Sequence, residues 1–418
     1  MHIAHLGLTN FRNYVRLELD LPPHFVVFQG DNAQGKTNLL ESVYYLATSR
    51  SSRSSSDRDL INWLAQKDDL TFARIAGRVH KTKSSLDLDI TLMPRQAEEG
   101  SGQGALPALV KRIRVNGLPR RATDLVGQVN VVMFSPQDID LVSGPPHLRR
   151  RYLDIMNSQV DVLYLRALQT YSRVLVQRNH LLRLIRDRQA RHDQLDFWNE
   201  QMVEAGAYII ARRQRTIEEL GELAQVLHPR LTGQKEHIKI SYLSNLAGYD
   251  PVEKEAMAFV SGESSLDGLR SVREDREPWS ELTEIKESFR LKLEEIVARE
   301  VMLGMSVLGP HRDDLQLCAD GIDLNVYGSR GQQRTAALSL KLSEANLMLA
   351  QTGEQPILLL DDIMSELDSE RRSHLVESLA QHEQVLITTT DLDRYGCDFL
   401  SRASVFTVNQ GQIERVNS

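Results

Sequence analysis

The fold is decided by the stretch Gly30-Asp31-Asn32-Ala33-Gln34-Gly35-Lys36-Thr37. It matches the pattern G-x-x-x-x-G-K-[ST] at each fixed position. An apolar run from His24 to Phe28 precedes it as a buried strand, and a helix is predicted to begin near Asn38. In such a unit, glycines let backbone N–H groups surround phosphate oxygens at a helix N-terminus. We therefore expect residues 30–37 to bind nucleotide, with Lys36 at the β- and γ-phosphates and the Thr37 hydroxyl on Mg²⁺.

A second motif is Ile357-Leu358-Leu359-Leu360-Asp361-Asp362. Its apolar residues predict a strand buried on both faces, and its carboxylates lie at the carboxyl end, where α/β sheets bind ligands. Such a strand is common by itself, but the phosphate loop earlier in the chain favours a functional interpretation. We expect Asp361 to hold Mg²⁺ through water and Asp362 to orient or deprotonate the attacking water.

The pattern around these motifs predicts an α/β fold. Residues 1–155 alternate short strands with turns, residues 156–300 have helical spacing, and an α/β pattern returns in residues 301–418. The simplest arrangement is one α/β domain formed by both chain ends and interrupted by a mostly α-helical arm. Residues 96–107 are predicted to form a mobile hairpin tip, and residues 251–279 a loop or short helix.

Composition excludes several classes of protein. The 418 residues are 41% hydrophobic and 26% charged, and no apolar run approaches the ~20 residues of a membrane span. The start, Met1 to Leu6, is not typical of a secretory signal, and Cys318 and Cys397 fit a reducing compartment. We therefore expect a cytoplasmic protein.

The formal net charge is −7, so nucleic-acid binding would require a local basic patch. Between Arg149 and Glu200, ten arginines face six acidic residues. Arginines there would bind phosphates without reading sequence, although a solvated helix face is an equal alternative. The candidate DNA contacts are Arg149, Arg150, Arg151, Arg178, Arg183 and Arg186.

A third motif, Tyr327-Gly328-Ser329-Arg330-Gly331-Gln332-Gln333-Arg334, precedes a predicted helix. By itself it could be a capped helix, but with the other two motifs it resembles the signature loop of ABC-type ATPases. Ser329, Gly331 and Gln332 would form a second anion site. One head cannot place both loops on the same γ-phosphate. The resemblance implies a head-to-tail pair, with ATP between Lys36 of one copy and Ser329 of the other.

Further segments make the resemblance specific. They are Leu8–Tyr14, Phe134–Asp138, Gly309–Asp314 and Ser365–Asp368, in this order. Together with the three motifs they resemble the RecF family of recombination-mediator ATPases, relatives of SMC and Rad50 heads. The resemblance implies an ABC-type ATPase head.

The resemblance also assigns roles to single residues. It implies that Gln137 senses Mg²⁺ and the attacking water, that Arg12 lies near the nucleotide, and that Ser365–Asp368 crosses the dimer interface. No histidine occurs in Thr388–Asp391, where many ABC ATPases carry one. Asp362, where many have glutamate, suits slow hydrolysis. The role of His311–Asp314 is left open, with a structural ion-pair cluster as one alternative.

The function implied is that of a weak, DNA-stimulated ATPase that binds gapped DNA as an ATP-dependent dimer. Its partners would be RecR and, indirectly, RecO and RecA, in recombinational repair and the SOS response of a bacterium. The nucleotide-binding subunit of an ABC transporter would share the three ATP motifs, but the helical insertion and the SRGQQR form argue against it. An arm of this length is too short for a structural SMC protein, and no Asn-Lys-x-Asp motif indicates a GTPase.

Overall fold

The computed structural model describes residues 1–63, 65, 72–94, 109–247 and 278–416. The predicted hairpin tip at 96–107 and most of the predicted segment 251–279 lie outside these residues. The chain forms two compact units. The first, here the head unit, comprises Met1–Ile139, Leu223–His237 and Arg330–Ser418, and the second, here the arm unit, comprises Asp140–Glu222 and Ile238–Ser329. The three-part division at 155/156 and 300/301 stays a prediction.

The strands are numbered in chain order: β1 His2–Phe11, β2 Tyr14–Asp20, β3 His24–Gln29, β4 Ala73–His80, β5 Ser85–Pro94, β6 Leu109–Val115, β7 Leu118–Arg120, β8 Val131–Phe134, β9 Ile238–Leu243, β10 Asp314–Ala319, β11 Ile322–Asp323, β12 Ile357–Asp361, β13 Gln384–Thr389, β14 Ala403–Asn409 and β15 Gln412–Arg415. The helices are α1 Lys36–Thr48, α2 Ala122–Leu125, α3 Asp140–Ser143, α4 Pro146–Val160, α5 Val162–Arg186, α6 Leu195–Leu231, α7 Pro278–Leu303, α8 Leu324–Tyr327, α9 Arg330–Thr352, α10 Ser369–Leu379 and α11 Cys397–Leu400.

The head unit contains two sheets. One is antiparallel, in the order β2-β1-β4-β5-β6-β7, and the turn Asn116-Gly117 joins β6 to β7, where Val115 pairs with Leu118. The other has the order β15-β14-β3-β13-β12-β8 and is parallel except for β15. Helix α1 contacts strands of both sheets. Because β3, β12, β13 and β8 run parallel, their carboxyl ends share one edge, where the site forms.

The arm unit is mostly helical, as the sequence predicts. Helices α5 and α6 are joined by residues 187–194, and Phe289 and Leu293 of α7 pack with Tyr171 and Met202 in one apolar cluster. A three-stranded sheet, β11-β10-β9, also belongs to this unit and was not predicted. No helix in the described part of the chain is long and apolar enough to cross a membrane.

Candidate functional site

The phosphate loop has a shape that requires its glycines. Gly35 caps α1 with φ at 112°, and a Cβ there would lie 2.4 Å from Nδ2 of Asn13. A Cβ on Gly30 would lie 2.3 Å from the carbonyl oxygen of Val408. Asn13 Nδ2 donates a hydrogen bond of 3.0 Å to the carbonyl oxygen of Gln34. The loop is therefore held by its neighbours in a form that places the N-terminus of α1 at its mouth.

Lys36 is the buried cation of this loop. It is 7% exposed, and its Nζ donates to the carbonyl oxygens of Gly30 at 2.6 Å and Asp31 at 2.8 Å. Burial lowers the pKa of Lys36, whereas the charges of Asp362 and Asp361 raise it. These two carboxylates therefore favour the ammonium form, which is the form that neutralises phosphate.

Hydroxyl groups from two other elements converge on Asp361. Oγ1 of Thr37, at the start of α1, donates to Oδ1 of Asp361 at 2.8 Å, and Oγ1 of Thr388, on β13, donates to the same oxygen at 2.8 Å. Asp361 is 9% exposed at the end of β12. Thus the structure brings together Thr37 and Asp361, two of the three residues that the sequence assigns to Mg²⁺.

Asp362 lies one residue beyond β12 in the left-handed region, with φ at 52°. Its backbone N–H donates to Oγ1 of Thr388 at 3.0 Å, and Oγ of Ser365 donates to its carbonyl oxygen at 2.7 Å. Its Oδ1 is buried and has no hydrogen-bond partner among the described residues. Burial, and then the charge of Asp361, raise the pKa of Asp362. Its carboxylate can therefore accept a proton or orient a water.

The donor set fits nucleotide and magnesium. A threonine hydroxyl and a carboxylate are hard oxygen ligands, and Mg²⁺ is commonly bound by one or two protein oxygens together with phosphates and waters. Within the described residues, no group of three or more His, Cys, Asp or Glu side chains could hold a metal. Thr37 and Asp361 would hold Mg²⁺ together with phosphate oxygens and waters.

Gln137 is exposed on the 3₁₀ turn Pro136–Ile139, directly after β8. This turn is fixed by the backbone N–H of Ser135, which donates to Oδ2 of Asp138 at 2.8 Å. Since β8 pairs in parallel with β12, Gln137 lies at the same sheet edge as Asp361. Its assignment to Mg²⁺ and water stays a prediction.

Arg12 is engaged within the head unit. Its Nε and Nη2 donate to both carboxylate oxygens of Glu41, at 2.9 and 2.8 Å, and its Nη1 donates to the carbonyl oxygen of Asp59 at 2.9 Å. Glu41 is fully buried on α1. Arg12 thus braces the helix that follows the phosphate loop, and its contact with nucleotide stays a prediction.

The signature residues lie at the start of α9. Gly331 and Gln332 are in its first turn, and Nε2 of Gln332 donates to Oε1 of Glu236 at 3.1 Å. Ser329 precedes this helix and is exposed. Arg334, one turn into α9, forms an ion pair with Glu366, which belongs to the turn after β12. Sequence reasoning missed this pair because nothing in either segment indicates the other.

The structure corrects two of the six predicted DNA contacts. Arg149 is 5% exposed and forms a two-pronged ion pair with Asp314, and Arg178 is fully buried against Glu300. A buried, paired guanidinium cannot reach a DNA phosphate, so these two predictions are wrong. Of the remaining four, Arg150 is half-buried and donates to a backbone carbonyl, whereas three are exposed: Arg151, Arg183 and Arg186.

Residues His311–Asp314 lie in the interior of the arm unit. Nδ1 of His311 is 2.7 Å from the hydroxyl of Tyr171, and its Nε2 is 3.1 Å from the carbonyl oxygen of Ser306. Asp313 is fully buried and accepts a hydrogen bond of 2.7 Å from the backbone N–H of Asn245. Together with the Asp314 ion pair, these contacts support the structural alternative for this segment.

Comparison with known proteins places the whole chain in one family. The family model "RecF/RecN/SMC N terminal domain" matches residues 2–396. A "DNA replication and repair protein RecF" from Chloroflexus aurantiacus is 41% identical over 421 residues, covering 99% of both chains. The RecF protein of Roseiflexus castenholzii is 40% identical over 420 residues, again covering 99% of both.

Solved structures show the same relationship. A structure described as the recombination mediator protein RecF with ATP, in the RecFOR pathway, superposes with a TM-score of 0.80 at 29% identity, covering 100% of this chain and 98% of the other. An SmcHead bound to the C-winged helix domain of ScpA superposes with a TM-score of 0.50 at 13% identity, covering 100% of this chain and 97% of that one. The latter likeness concerns the fold alone, which is that of an ABC-type ATPase head with an inserted helical arm.

Proposed function

The chain belongs to the RecF family of DNA replication and repair proteins, and on this premise we propose that it is an ATP-dependent DNA-binding switch. Two copies would close on ATP, with Lys36 of one copy and Ser329 of the other on the same nucleotide. The closed dimer would hold DNA and release it after hydrolysis. Ser329 is exposed, as a residue that contacts a second copy must be.

One observation carries this proposal, namely the convergence of Thr37 and Thr388 on Oδ1 of Asp361. It places the end of β12 at the mouth of the phosphate loop, where Lys36 neutralises phosphate charge. Mg²⁺, when bound by Thr37 and Asp361, would supply further neutralisation of the β- and γ-phosphates. The unpaired Oδ1 of Asp362 accepts a hydrogen bond from the attacking water.

Hydrolysis is proposed to be slow and stimulated by DNA. The carboxylate of Asp362 is one methylene shorter than the glutamate of many related ATPases, and its left-handed backbone fixes where it points. Gln137, at the same sheet edge, would help to place the water. A slow step keeps the ATP-bound dimer on DNA long enough to act as a signal, which suits a switch.

The biological setting follows from the family. We propose that the protein acts in the bacterial cytoplasm on gapped DNA, with RecR as direct partner. RecO and RecA would be indirect partners. The protein would help RecR and RecO to load RecA, and the loaded RecA would support recombinational repair and the SOS response. The alternative of a transporter subunit has no support among the relatives described above.

Sedimentation with ATP and DNA varied independently tests the proposal. The unmodified chain should form dimers only with ATP, and DNA should sediment with these dimers. Ser329→Arg should keep ATP binding and lose the dimer, because an arginine side chain fills the space of the facing phosphate. Ser401→Arg, at an exposed serine outside the signature segment, serves as the matched control. Dimers that persist in Ser329→Arg would contradict the shared nucleotide.

A further inference from the structure

Helix α5 has an unusual charge composition. Its 25 residues, Val162–Arg186, include five arginines and one histidine and no aspartate or glutamate. Solvated helix faces normally mix both signs, because acid–base pairs three or four residues apart stabilise the helix. Pairs of that kind cannot form within α5. The exposed arginines of α5 therefore gain no stabilisation from acidic partners on the same helix.

The fold divides these basic residues between two faces. Arg178 is fully buried and paired with Glu300, whereas Arg166, Arg173, His180 and Arg183 are exposed. Arg166, Arg173 and His180 follow one another at intervals of seven residues, which is close to two helical turns, so they lie along one line. Arg183 follows three residues later on the same exposed side. We call these four residues the α5 stripe.

Some exposed cations of the arm unit are paired with carboxylates, whereas the arginines of the α5 stripe form no such pair among the described residues. Arg290 of α7 pairs with Glu200 at 2.6 Å, and Arg215 of α6 pairs with Glu219 at 2.9 Å. Among the residues that the structure describes, Arg166, Arg173 and Arg183 form no ion pair. Their charge is thus available to an external anion.

We propose that the α5 stripe is a docking surface for the phosphate backbone of duplex DNA. The proposal deepens the function proposed above and rests on it. From Arg166 to Arg183 the helix rises about 25 Å, the length of about seven base pairs, and duplex DNA carries one negative charge per ~1.7 Å. A linear array of guanidinium groups matches a linear array of phosphates, and it binds them without reading bases.

The test is binding of the full chain, with ATP, to a short blunt DNA duplex over a series of KCl concentrations. The triple variant Arg166→Gln, Arg173→Gln, Arg183→Gln removes three cations while leaving the buried Arg178 in place. Each lost phosphate contact lowers the slope of log K against log salt by about 0.9, so the expected loss is about 2.7. Affinity at low salt should fall roughly 10-fold or more.

The matched control is the double variant Arg215→Gln, Arg290→Gln, which removes exposed but paired cations of the same unit. It should keep the wild-type slope, and circular dichroism should show all chains equally folded. If the triple variant is unstable, Arg173→Gln alone should still lower the slope by about 0.9. A wild-type slope in the triple variant would overturn the proposed DNA contact of the α5 stripe but not the proposed function. A wild-type chain without salt-dependent DNA binding overturns the proposed function as well.

Discussion

Thr37 and Asp361 are 324 positions apart in the chain, yet Oγ1 of Thr37 donates a hydrogen bond of 2.8 Å to Oδ1 of Asp361. The contact joins the first turn of α1 to the end of β12. It depends on the sheet order, in which β13 lies between β3 and β12 and contributes Thr388 to the same carboxylate. Thr37 and Asp361, which are proposed to hold Mg²⁺ directly and through water, are thus brought together by the order of the strands.

Thr37→Val tests this pair. Valine keeps the volume and branching of threonine but removes the hydroxyl, so nucleotide should still bind through Lys36 while Mg²⁺ loses a ligand. Because a metal ion supplies several kcal/mol to the transition state, we expect ATP hydrolysis to fall at least about 100-fold. Phosphate release at several Mg²⁺ concentrations measures this loss. The control Thr407→Val, at an exposed position of β14, should hydrolyse ATP normally. Normal hydrolysis by Thr37→Val would remove Thr37 from the metal site.

Asp362→Asn tests the role of the carboxylate in hydrolysis. Asparagine tolerates the left-handed backbone at φ 52°, so the turn should keep its shape. Without a basic oxygen, hydrolysis should fall about 10²- to 10⁴-fold while ATP binding stays. ATP-bound dimers should then accumulate on DNA in sedimentation. Turnover at the wild-type rate would show that another residue activates the water.

The site was predictable from sequence because its parts are local patterns. The phosphate loop needs glycines where side chains would collide, and a strand buried on both faces is a continuous apolar run. The sequence could not show that Thr388 would reach Asp361, since that contact depends on strand order. The sheet β11-β10-β9 was missed although Ile238, Ile240 and Tyr242 alternate with polar residues, because the surrounding helical spacing dominated the interpretation.

Both wrong DNA contacts are arginines paired with a buried carboxylate far along the chain, Arg149 with Asp314 and Arg178 with Glu300. Arg178 interrupts the apolar stripe of α5 and therefore occupies the buried face, where an arginine needs a partner. The place of Arg178 within this apolar stripe was the sequence signal that indicated a buried arginine. Its partner, Glu300, lies 122 residues further on and cannot be identified from spacing. Charge counts locate a basic segment but do not assign its members to faces.

The ion pair between Arg334 and Glu366 predicts a positioning role. It ties α9, which begins with Gly331 and Gln332, to the turn that follows Asp362. Both side chains are partly exposed, so the pair should add less than about 1 kcal/mol to stability. Glu366→Gln should leave thermal unfolding nearly unchanged but lower kcat roughly threefold to tenfold, through misplaced catalytic groups.

The exchanged pair Arg334→Glu, Glu366→Arg provides the control. Because the exchange restores opposite charges, the double variant should be more active than either single variant. The double-mutant cycle then measures the coupling energy between positions 334 and 366. Additive losses without recovery would show that the two residues act independently.

The buried pair of Arg178 and Glu300 predicts a large effect on stability. Nη2 of Arg178 donates to Oε2 of Glu300 at 2.6 Å, and both side chains are fully buried. Arg178→Met leaves a buried, unpaired carboxylate, which should lower the free energy of unfolding by about 3–5 kcal/mol in urea denaturation. Arg183→Met, an exposed change on the same helix, should stay within about 0.5 kcal/mol of wild type. Equal effects of the two variants would contradict the buried pair.

His311 predicts a pH dependence of stability. Burial lowers the pKa of His311 from 6.5 to about 4. In the neutral ring, Nδ1 accepts a hydrogen bond from the Tyr171 hydroxyl, and Nε2 donates one to the carbonyl oxygen of Ser306. Both hydrogen bonds therefore form without protonation of the ring to the imidazolium. Between pH 6.5 and 4, the unfolded chain therefore binds a proton that the folded chain does not. The contribution of His311 is fully present above pH 6.5 and is lost as pH falls toward 4.

Urea unfolding of wild type and His311→Gln between pH 4 and 7.5 measures this contribution. Glutamine offers an acceptor and a donor but does not titrate, so the difference in unfolding free energy between the two chains isolates the histidine. That difference should change by up to about 3 kcal/mol across the window, with wild type gaining stability as pH rises. His382, half-buried in the head unit, also has its pKa lowered by desolvation, and it is present in both chains, so its effect cancels in the comparison. A difference that stays constant with pH would show that His311 is not held neutral by burial.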